Sequence, residues 1–317
     1  MPKISIYCGI IFCLIFISCY TKDEVPANIW EDFKPFKPDY NSSDLQNSDL
    51  FVSKGAAVGA VNLPEVSGLA ESQVNPDHIW AHNDSGNSNS IFLINKNTGK
   101  ISVEYVVSGA KNVDWEDMEI GPGPENGKSY IYMGDIGDNQ AIRSKSIIYR
   151  FPEPEFDTSQ EGQKIELNNN LEVLEYTYPE GARDAETLLL DHKTKDLYII
   201  SKRELPAKVF IFPYPQNIKA STKLVQVGSL PFFMPVGGNV SPDGKEILIK
   251  TYQTIYFWQH DFNEPLWKTL AKQPQIAPYD PVEPQGEAIS FDSKGGYFTL
   301  SEKVNNTQPI LYYYQRK

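Results

Sequence analysis

Acidic residues recur at the start of short apolar strands, and these positions are the best candidates for chemistry in the sequence. Glu65, Glu116, Glu186 and Glu287 each open such a strand, and Asn239 opens a fifth. Carboxylates that converge on a narrow concave site repel one another, so they persist there only beside a metal ion, bound protons or cationic side chains. The recurrence therefore points to one of three kinds of site.

The first kind is a metal site, because a hard cation such as Ca²⁺ takes about six to eight oxygen ligands. Two loops, residues 83–87 and 135–139, offer closely spaced oxygens together with glycines that let the backbone turn toward an ion. Neither loop has the spacing of an EF-hand. The predicted metal ligands are Glu116, Asp135, Asp138, Asn139, Glu186 and Glu287.

The second kind is a catalytic site, in which two carboxylates act as acid and base, or as a nucleophile, on a glycosidic or ester bond. Glu116, Glu186 and Glu287 are the predicted catalytic residues. The third kind is a set of ion pairs that only holds neighbouring strands together. The side chains predicted to bind a ligand, or to pair across the site, are Asp84, Arg183, Lys202, Arg203, Lys250 and Lys303.

A repeated order of strands positions these residues. Each opening residue is followed by a hairpin turn, an alternating second strand and an apolar third strand, and a weaker fourth strand precedes the next opening residue. The repeat length is about 50 residues, as in a propeller blade, except where the polar insert 155–170 lengthens it. The pattern predicts an all-β fold, a β-propeller of five four-stranded blades, with six blades as the alternative if the insert hides one more.

The two ends of the pattern predict how the ring closes. The last repeat ends at Lys317 without a fourth strand, whereas the apolar residues 50–53 precede the first repeat. We expect this N-terminal strand to complete the last blade. Because the first strand of each blade lines the axis and the second runs antiparallel to it, the candidate residues should meet at one end of the axis.

Composition excludes several functions. The formal net charge is −12, and no stretch clusters Lys and Arg as a nucleic-acid site requires. The sequence contains no HExxH zinc motif, no Gly-x-Ser-x-Gly nucleophile elbow and no phosphate-binding loop. Cys8 and Cys13 lie in the leader described next, so Cys19 alone cannot form a disulfide or a thiolate metal site within the remaining chain.

The N-terminus indicates export. Lys3 and the apolar residues 4–17 lead to Phe16-Ile17-Ser18-Cys19, which resembles a bacterial lipobox. We therefore expect residues 1–18 to be a lipoprotein signal peptide, lipid on Cys19 to anchor the chain, residues 19–48 to form a tether and residues 49–317 to form the propeller. An ordinary signal peptide or an uncleaved anchor are the alternatives. The Lys22-Asp23-Glu24 segment resembles a short acidic surface-export signal, so the expected location is the outer membrane or cell surface.

Longer motifs resemble a family of bacterial secreted lipoprotein β-propellers that are loosely similar to esterase-like phytase and strictosidine-synthase-like propellers. The motifs, spread over about residues 65–302, are Asp114-Trp115-Glu116-Asp117, residues 132–139, residues 149–154, Asp184-Ala185-Glu186 and Gln285-Gly286-Glu287-Ala288. The resemblance implies Ca²⁺ on the axis, with Glu116, Asp135, Asp138, Glu186 and Glu287 as ligands. Some relatives hydrolyse esters or phosphoesters, but no catalytic motif of theirs matches this sequence residue for residue.

The sequence thus predicts an exported monomer that binds a divalent cation and a small or glycan-derived ligand at an acidic axial pocket. If the protein is an enzyme, we expect a hydrolase acting on a phosphoester, ester or glycosidic bond. The alternative is a non-catalytic cell-surface scaffold that binds another protein and uses the acidic residues only to hold its blades together.

Overall fold

Five sheets, antiparallel except for one added outer strand in each of two, surround one axis in the computed structural model, which describes residues 33–168 and 170–317. The innermost strands of neighbouring sheets contact one another around the ring. The predicted five-bladed propeller is therefore confirmed. The predicted signal peptide 1–18 and the lipidation site Cys19 lie outside the described residues. No helix among the described residues is long and apolar enough to cross a membrane.

The blades follow one another along the chain, and their strands are given from the axis outward. Blade 1 contains Val66–Glu71, His78–Asn83, Ser90–Asn95, Ile101–Val107 and the added Lys164–Leu167. Blade 2 contains Trp115–Pro122, Ser129–Asp135, Ser146–Pro152, Glu172–Thr177 and the added Thr222–Lys223. Blade 3 contains Ala185–Leu190, Leu197–Ser201, Ala207–Phe212 and Val225–Leu230.

Blade 4 contains Pro235–Val240, Glu246–Thr251, Ile255–Gln259 and Gln275–Ala277. Blade 5 contains Gly286–Phe291, Tyr297–Ser301, Ile310–Tyr314 and, outermost, the N-terminal strand Ala56–Ala60. Short helices lie at Ser42–Asp44, Thr158–Gln160 and Leu266–Leu270. We call the end of the axis where the innermost strands begin the mouth end.

The ring closes through an N-terminal strand, as predicted, but the strand is Ala56–Ala60 and not residues 50–53. Ala56 pairs with Tyr313, and Ala60 pairs with Ile310. Phe51 instead anchors the chain in the core, with its ring 5.3 Å from that of Phe257 and 4.9 Å from that of Tyr297. The apolar run at 50–53 marks this anchor, because a buried aromatic side chain gives the same local signal as a short strand.

The polar insert 155–170 does not contain a sixth blade. It carries Lys164–Leu167, which pairs in parallel with the outermost regular strand of blade 1. Glu104 pairs there with Lys164, and Val107 pairs with Leu167. The insert therefore widens blade 1, and the six-bladed alternative is wrong.

Part of the segment predicted as a tether lies against the ring. Phe36 pairs with Gly228 of blade 3, and Asn47 pairs with Ile276 of blade 4. Tyr40 and Leu45, between these two bridges, are buried. The compact unit that contains the propeller accordingly runs from Lys34 to Lys317.

Buried carboxylates close the middle of the axis. Asp117 accepts hydrogen bonds from the backbone N–H groups of Leu188 in blade 3, at 2.9 Å, and of Gly238 in blade 4, at 3.0 Å. Glu119 accepts from Val240 N and from Asn239 Nδ2, at 2.9 and 3.0 Å. Asn239 therefore lies deep in the axis and not at the mouth, because its register places it opposite Leu248 in mid-strand.

Candidate functional site

Each innermost strand carries a β-bulge at its second residue. The register shifts lie between Val66 and Gly68, Trp115 and Asp117, Ala185 and Thr187, Pro235 and Gly237, and Gly286 and Ala288. A bulged residue is left out of the ladder, and its side chain is turned away from the regular alternation. The five residues at this bulge position are Ser67, Glu116, Glu186, Val236 and Glu287.

The bulges correct the predicted equivalence between blades. Glu116, Glu186 and Glu287 share the bulge position in blades 2, 3 and 5, as their shared place in the sequence pattern predicted. Glu65 does not, because Ser67 is the bulged residue of blade 1. In blade 4 the bulged residue is Val236. The glutamates therefore occupy three equivalent positions around the axis.

The site also includes Asp114 and Asp184, two carboxylates that were not predicted from the sequence. Each lies two residues before a bulged glutamate, so the signal that identifies them is the repeated Asp-x-Glu spacing. One carboxylate oxygen from each of Asp84, Asp114 and Glu116 lies within 4.8 Å of the others, and the same holds for Glu116, Asp184 and Glu186. We call these five residues, Asp84, Asp114, Glu116, Asp184 and Glu186, the acidic mouth.

Cationic side chains neutralise one side of the acidic mouth. Lys202 Nζ donates to Glu186 Oε1 and lies 3.2 Å from the Tyr252 hydroxyl, which donates to Glu287 Oε1 at 2.6 Å. Glu186 Oε2 is buried without a hydrogen-bond partner among the described residues. Arg203 Nε lies 2.6 Å from Asp184 Oδ2. A buried acceptor without a donor is costly, so Glu186 Oε2 marks a place for a ligand atom.

Glu116 lies where the two groups of carboxylates meet. Its side chain forms no ion pair with a Lys or Arg in the part of the chain that the structure describes, and Ser67 Oγ is 3.5 Å from Oε2. Burial, together with the negative charges of Glu186 and Asp84, raises the pKa of Glu116 well above its ordinary value. The carboxylate therefore needs a proton or a bound cation as its counter-charge.

Two acids at the edge of the acidic mouth titrate near neutral pH. Burial and the charges of Asp114 and Glu287 raise the pKa of Asp84 to about 6. Burial and the charges of Glu287 and Asp84 raise the pKa of Glu302 to about 7. Glu287 lies outside the two groups of three, but its charge also raises the pKa of Glu116 and of Glu186.

The loop at 135–139 supports the acidic mouth through its backbone, because the Asp138 N–H donates to Asp184 Oδ1 at 2.8 Å. Asp135 forms an ion pair with Arg143 at 2.7 Å. Asp138 accepts hydrogen bonds from the backbone N–H groups of Ile142 and Arg143, and Asn139 accepts from Arg203. A Cβ atom at Gly137 would collide with the side chains of Glu116 and Asp114, so glycine is required there. Asp135 Oδ1, Asp138 and Asn139, predicted as metal ligands, thus have protein partners, whereas Asp135 Oδ2 is buried without a hydrogen-bond partner among the described residues.

The remaining predicted ligand-binding residues divide into two sets. Lys202, Arg203 and Asp84 lie in or beside the acidic mouth, and Lys303 is exposed next to Glu302. Arg183 instead pairs with Glu180 and Glu204 and stacks over Phe210, and among the described residues it forms no ion pair with the acidic mouth. Lys250 is fully buried and donates to the backbone oxygens of Gly286 and Thr251. Burial lowers the pKa of Lys250 below its ordinary value.

The chemistry open to this arrangement follows from its donors. The mouth offers carboxylate oxygens and neither His nor Cys, a set that suits a hard cation. His82, the histidine nearest the mouth in sequence, is fully buried against Trp115. The oxygens within 4.8 Å of one another are closer than the roughly 6.5–9.5 Å between the carboxyl groups of inverting glycosidases and are near the roughly 5–5.5 Å of retaining ones. The acidic mouth can therefore hold a metal ion.

Comparison with known proteins gives similarity in structure alone. No family model matches the chain, and no curated protein matches its sequence. Similar solved structures include a gluconolactonase from Xanthomonas campestris, at 12% identity and a TM-score of 0.44, covering 90% of this chain and 96% of that one. The hydrazine synthase of Kuenenia stuttgartiensis matches at 12% identity and a TM-score of 0.39, covering 85% and 62% of the two chains. Raptor from Chaetomium thermophilum matches at 10% identity and a TM-score of 0.37, covering 82% of this chain and 22% of that one.

Because these identities and TM-scores are low, the fold assignment rests on the sheet topology of this chain itself.

Proposed function

We propose that the acidic mouth binds a divalent cation and, through it, the oxygen atoms of a small or glycan-derived ligand. The observation that carries this proposal is the position of Glu116, which is shared by two groups of three carboxylates and lacks a cationic partner among the described residues. The unpartnered Glu186 Oε2 supplies a second, buried ligand atom beside it. Both features are explained at once by a cation between blades 2 and 3.

Ca²⁺ is the cation that this donor set favours. The carboxylates come from separate blades and from the loop of Asp84, so they offer a flexible number of oxygens in an irregular arrangement. Ca²⁺ accepts such coordination, whereas Mg²⁺ demands near-octahedral geometry and keeps several of its waters. Asp84 and Asp114 are only half-buried, which leaves one side of the cation open to a ligand.

Hydrolysis is a second candidate function, and the pKa values at the edge of the mouth favour it. Glu302, which lies outside the acidic mouth and has a pKa near 7, can give and take a proton close to neutral pH. A cation in the acidic mouth would polarise a carbonyl or phosphoryl oxygen. We expect a screen of p-nitrophenyl phosphate, acetate and glycosides to find Ca²⁺-dependent turnover that Glu302→Gln abolishes; turnover that is unchanged in Glu302→Gln would remove Glu302 from the reaction.

We also propose that lipid on Cys19 anchors the chain at the outer membrane or cell surface. The lipobox-like Phe16-Ile17-Ser18-Cys19 supports this proposal. Mass spectrometry of the purified membrane-bound chain should find a diacylated N-terminal Cys19, and Cys19→Ala should release the protein from the membrane. A mature chain that begins elsewhere and carries no lipid would contradict the anchor.

Calcium titration of the mature domain tests the proposed function. We expect one Ca²⁺ site in the wild type, and an affinity reduced about 100-fold or more in Glu116→Gln and Glu186→Gln, because each change removes a charged ligand. Glu161→Gln is the matched control, since Glu161 is exposed in the insert on blade 1. A scaffold whose acids only hold blades together would instead show lower melting temperatures in the two variants and no Ca²⁺ binding in the wild type.

A further inference from the structure

The acidic mouth is interrupted at blade 4. The bulge position there holds Val236 instead of a glutamate. Two residues earlier, where blades 1 to 3 have Glu65, Asp114 and Asp184, blade 4 has Met234. Met234 has a φ of 58° and its backbone N–H donates to Lys202 O at 3.1 Å, so the segment before blade 4 is fixed against blade 3. Blade 4 therefore has apolar residues at both positions, whereas blades 2 and 3 have acids at both.

Exposed apolar side chains extend this side outward. Phe233, next to Met234, is 56% exposed, and Leu205 of blade 3 is 68% exposed. Val282, in the segment before blade 5, is 47% exposed. All three lie in loops at the mouth end, since Leu205 joins the second and third strands of its blade and the other two precede innermost strands. We call Leu205, Phe233, Met234 and Val282 the apolar sector.

The distribution of exposed apolar residues favours binding at this end. Among the described residues, seven large hydrophobic side chains are exposed, and five of them lie in mouth-end loops. The two outside the apolar sector are Val113 and Ile142 of blade 2. Scattered apolar side chains on a surface need no explanation, but five of seven at the end of the axis that carries the acidic mouth favour a ligand with an apolar part at that end.

We propose that the ligand of the acidic mouth is an amphiphile, with an anionic oxygen-rich head group and an apolar alkyl or aryl body. This inference rests on the proposed function, because the head group is held by the bound cation. Lys303, exposed in the mouth-end loop after the second strand of blade 5, offers positive charge at the same end of the axis, whereas Arg203 already pairs with Asp184. The apolar body then lies on the apolar sector, where it covers Phe233 and Leu205.

The recessed position of the carboxylates favours a free amphiphile over a lipid in a bilayer. Glu116 and Glu186 are 3% and 2% exposed, so a head group must enter the mouth to reach a cation that they hold. A lipid packed among its neighbours in a membrane cannot do this without leaving them. The net charge of −12 also disfavours approach to an anionic bilayer.

Chain-length dependence tests the inference, with butanoate, hexanoate and octanoate as probes at saturating Ca²⁺. For the wild type we expect the affinity to rise about twofold to threefold for each added methylene, because the chain becomes partly buried. In the double variant Leu205→Ser and Phe233→Ser the rise should disappear, while Ca²⁺ affinity stays unchanged. Ile218→Ser is the matched control, since Ile218 is 50% exposed in the loop between the third and fourth strands of blade 3.

The outcomes distinguish failure of the amphiphile inference from failure of the proposed cation site. A wild type that binds Ca²⁺ but holds butanoate and octanoate equally overturns the amphiphile and leaves the cation site standing. A wild type that binds no Ca²⁺ overturns the proposed function itself. Equal octanoate affinity in EDTA and in Ca²⁺ overturns the bridging role of the cation. Sedimentation with phosphatidylcholine vesicles, lost in the double variant, together with no octanoate binding, would make the apolar sector a bilayer contact instead.

Discussion

At the scale of single residues, the mouth is organised by how its few donors are shared among many carboxylates. Lys202 donates to one oxygen of Glu186, and the Tyr252 hydroxyl donates to one oxygen of Glu287. The bulged glutamates of blades 3 and 5 therefore each have a donor. Glu116 receives only a weak contact from Ser67, so it is the residue that most requires a bound cation or proton.

Tyr252→Phe tests this division of donors. The hydroxyl of Tyr252 donates to Glu287 at 2.6 Å and lowers the pKa of that carboxyl. Its loss should raise the pKa of Glu287 further and weaken Ca²⁺ binding at pH 7 by about tenfold, with recovery at higher pH. Tyr312→Phe is the control, because Tyr312 lies on an outer strand of blade 5. Equal Ca²⁺ affinity in both variants and the wild type would show that Glu287 does not influence the cation.

The sequence pattern identified the three bulged glutamates but misplaced their neighbours, for a physical reason. Strand alternation in a sequence does not reveal a bulge, which inserts one residue without changing composition. Glu65 consequently looked equivalent to Glu116, although its true counterparts are Asp114 and Asp184. Those two aspartates precede the strands, where turn chemistry is the ordinary explanation for an acid.

At the scale of strands, the ring depends on contacts between its first and last blades. Lys96, at the end of blade 1's third strand, donates to Glu71 at the end of the innermost strand and to Asp292 of blade 5 at 2.8 Å. All three side chains are buried. This triad lies opposite the mouth end and complements the N-terminal strand that closes blade 5.

Lys96→Met should therefore destabilise the propeller more than an ordinary lysine substitution. The change leaves two buried carboxylates without their cation, and we expect a loss of about 3–5 kcal/mol in the free energy of unfolding. Lys100→Met is the control, since Lys100 is exposed in the same blade and should cost under about 0.5 kcal/mol. Urea denaturation measures both, and similar midpoints for the two variants would contradict a closing role for the triad.

The number of blades and the order of strands could be predicted because each blade repeats the same local pattern. The closing strand could not be placed from the sequence. Ala56–Ala60 is short, consists mostly of small residues and is partly exposed, whereas the nearby Phe51 is buried and gives a stronger apolar signal. The added strand Lys164–Leu167 could not be predicted either. Its four residues alternate exposed and half-buried side chains, as a strand would, but its pairing with blade 1 is set by tertiary contact and cannot be read from this short run.

At the scale of the whole molecule, the buried acids make stability depend on pH and on cations. Asp84 and Glu302 have pKa values of about 6 and 7 in the fold, above their ordinary values of 3.8 and 4.5. The folded state therefore holds protons that the unfolded chain releases at lower pH. Their contribution to stability is present below about pH 4 and is lost as the pH rises through 6 and 7.

Melting temperatures at pH 6.5 and pH 8, each with EDTA and with Ca²⁺, test this linkage. Burial lowers the pKa values of His82, His192 and His260, and these histidines add stability as the unfolded chain loses its imidazole protons. The wild type is therefore compared with Glu302→Gln, which retains all three histidines. In EDTA the melting temperature of the wild type should fall by roughly 2 °C relative to that of Glu302→Gln between the two pH values. The stabilisation by Ca²⁺ should grow over the same interval, because the cation replaces the lost protons. A Ca²⁺ effect that shrinks as the pH rises would contradict the account.

The central claim is that a cation lies between blades 2 and 3, and anomalous diffraction from crystals of the mature domain grown with Ca²⁺ tests it most directly. We predict one peak at the acidic mouth, at about 2.3–2.6 Å from carboxylate oxygens of Glu116 and Glu186. In Glu116→Gln crystals grown in the same way, that peak should be absent while the blades are unchanged. A wild-type mouth without a peak, with Lys202 or Arg203 turned onto Glu116 instead, would contradict the claim.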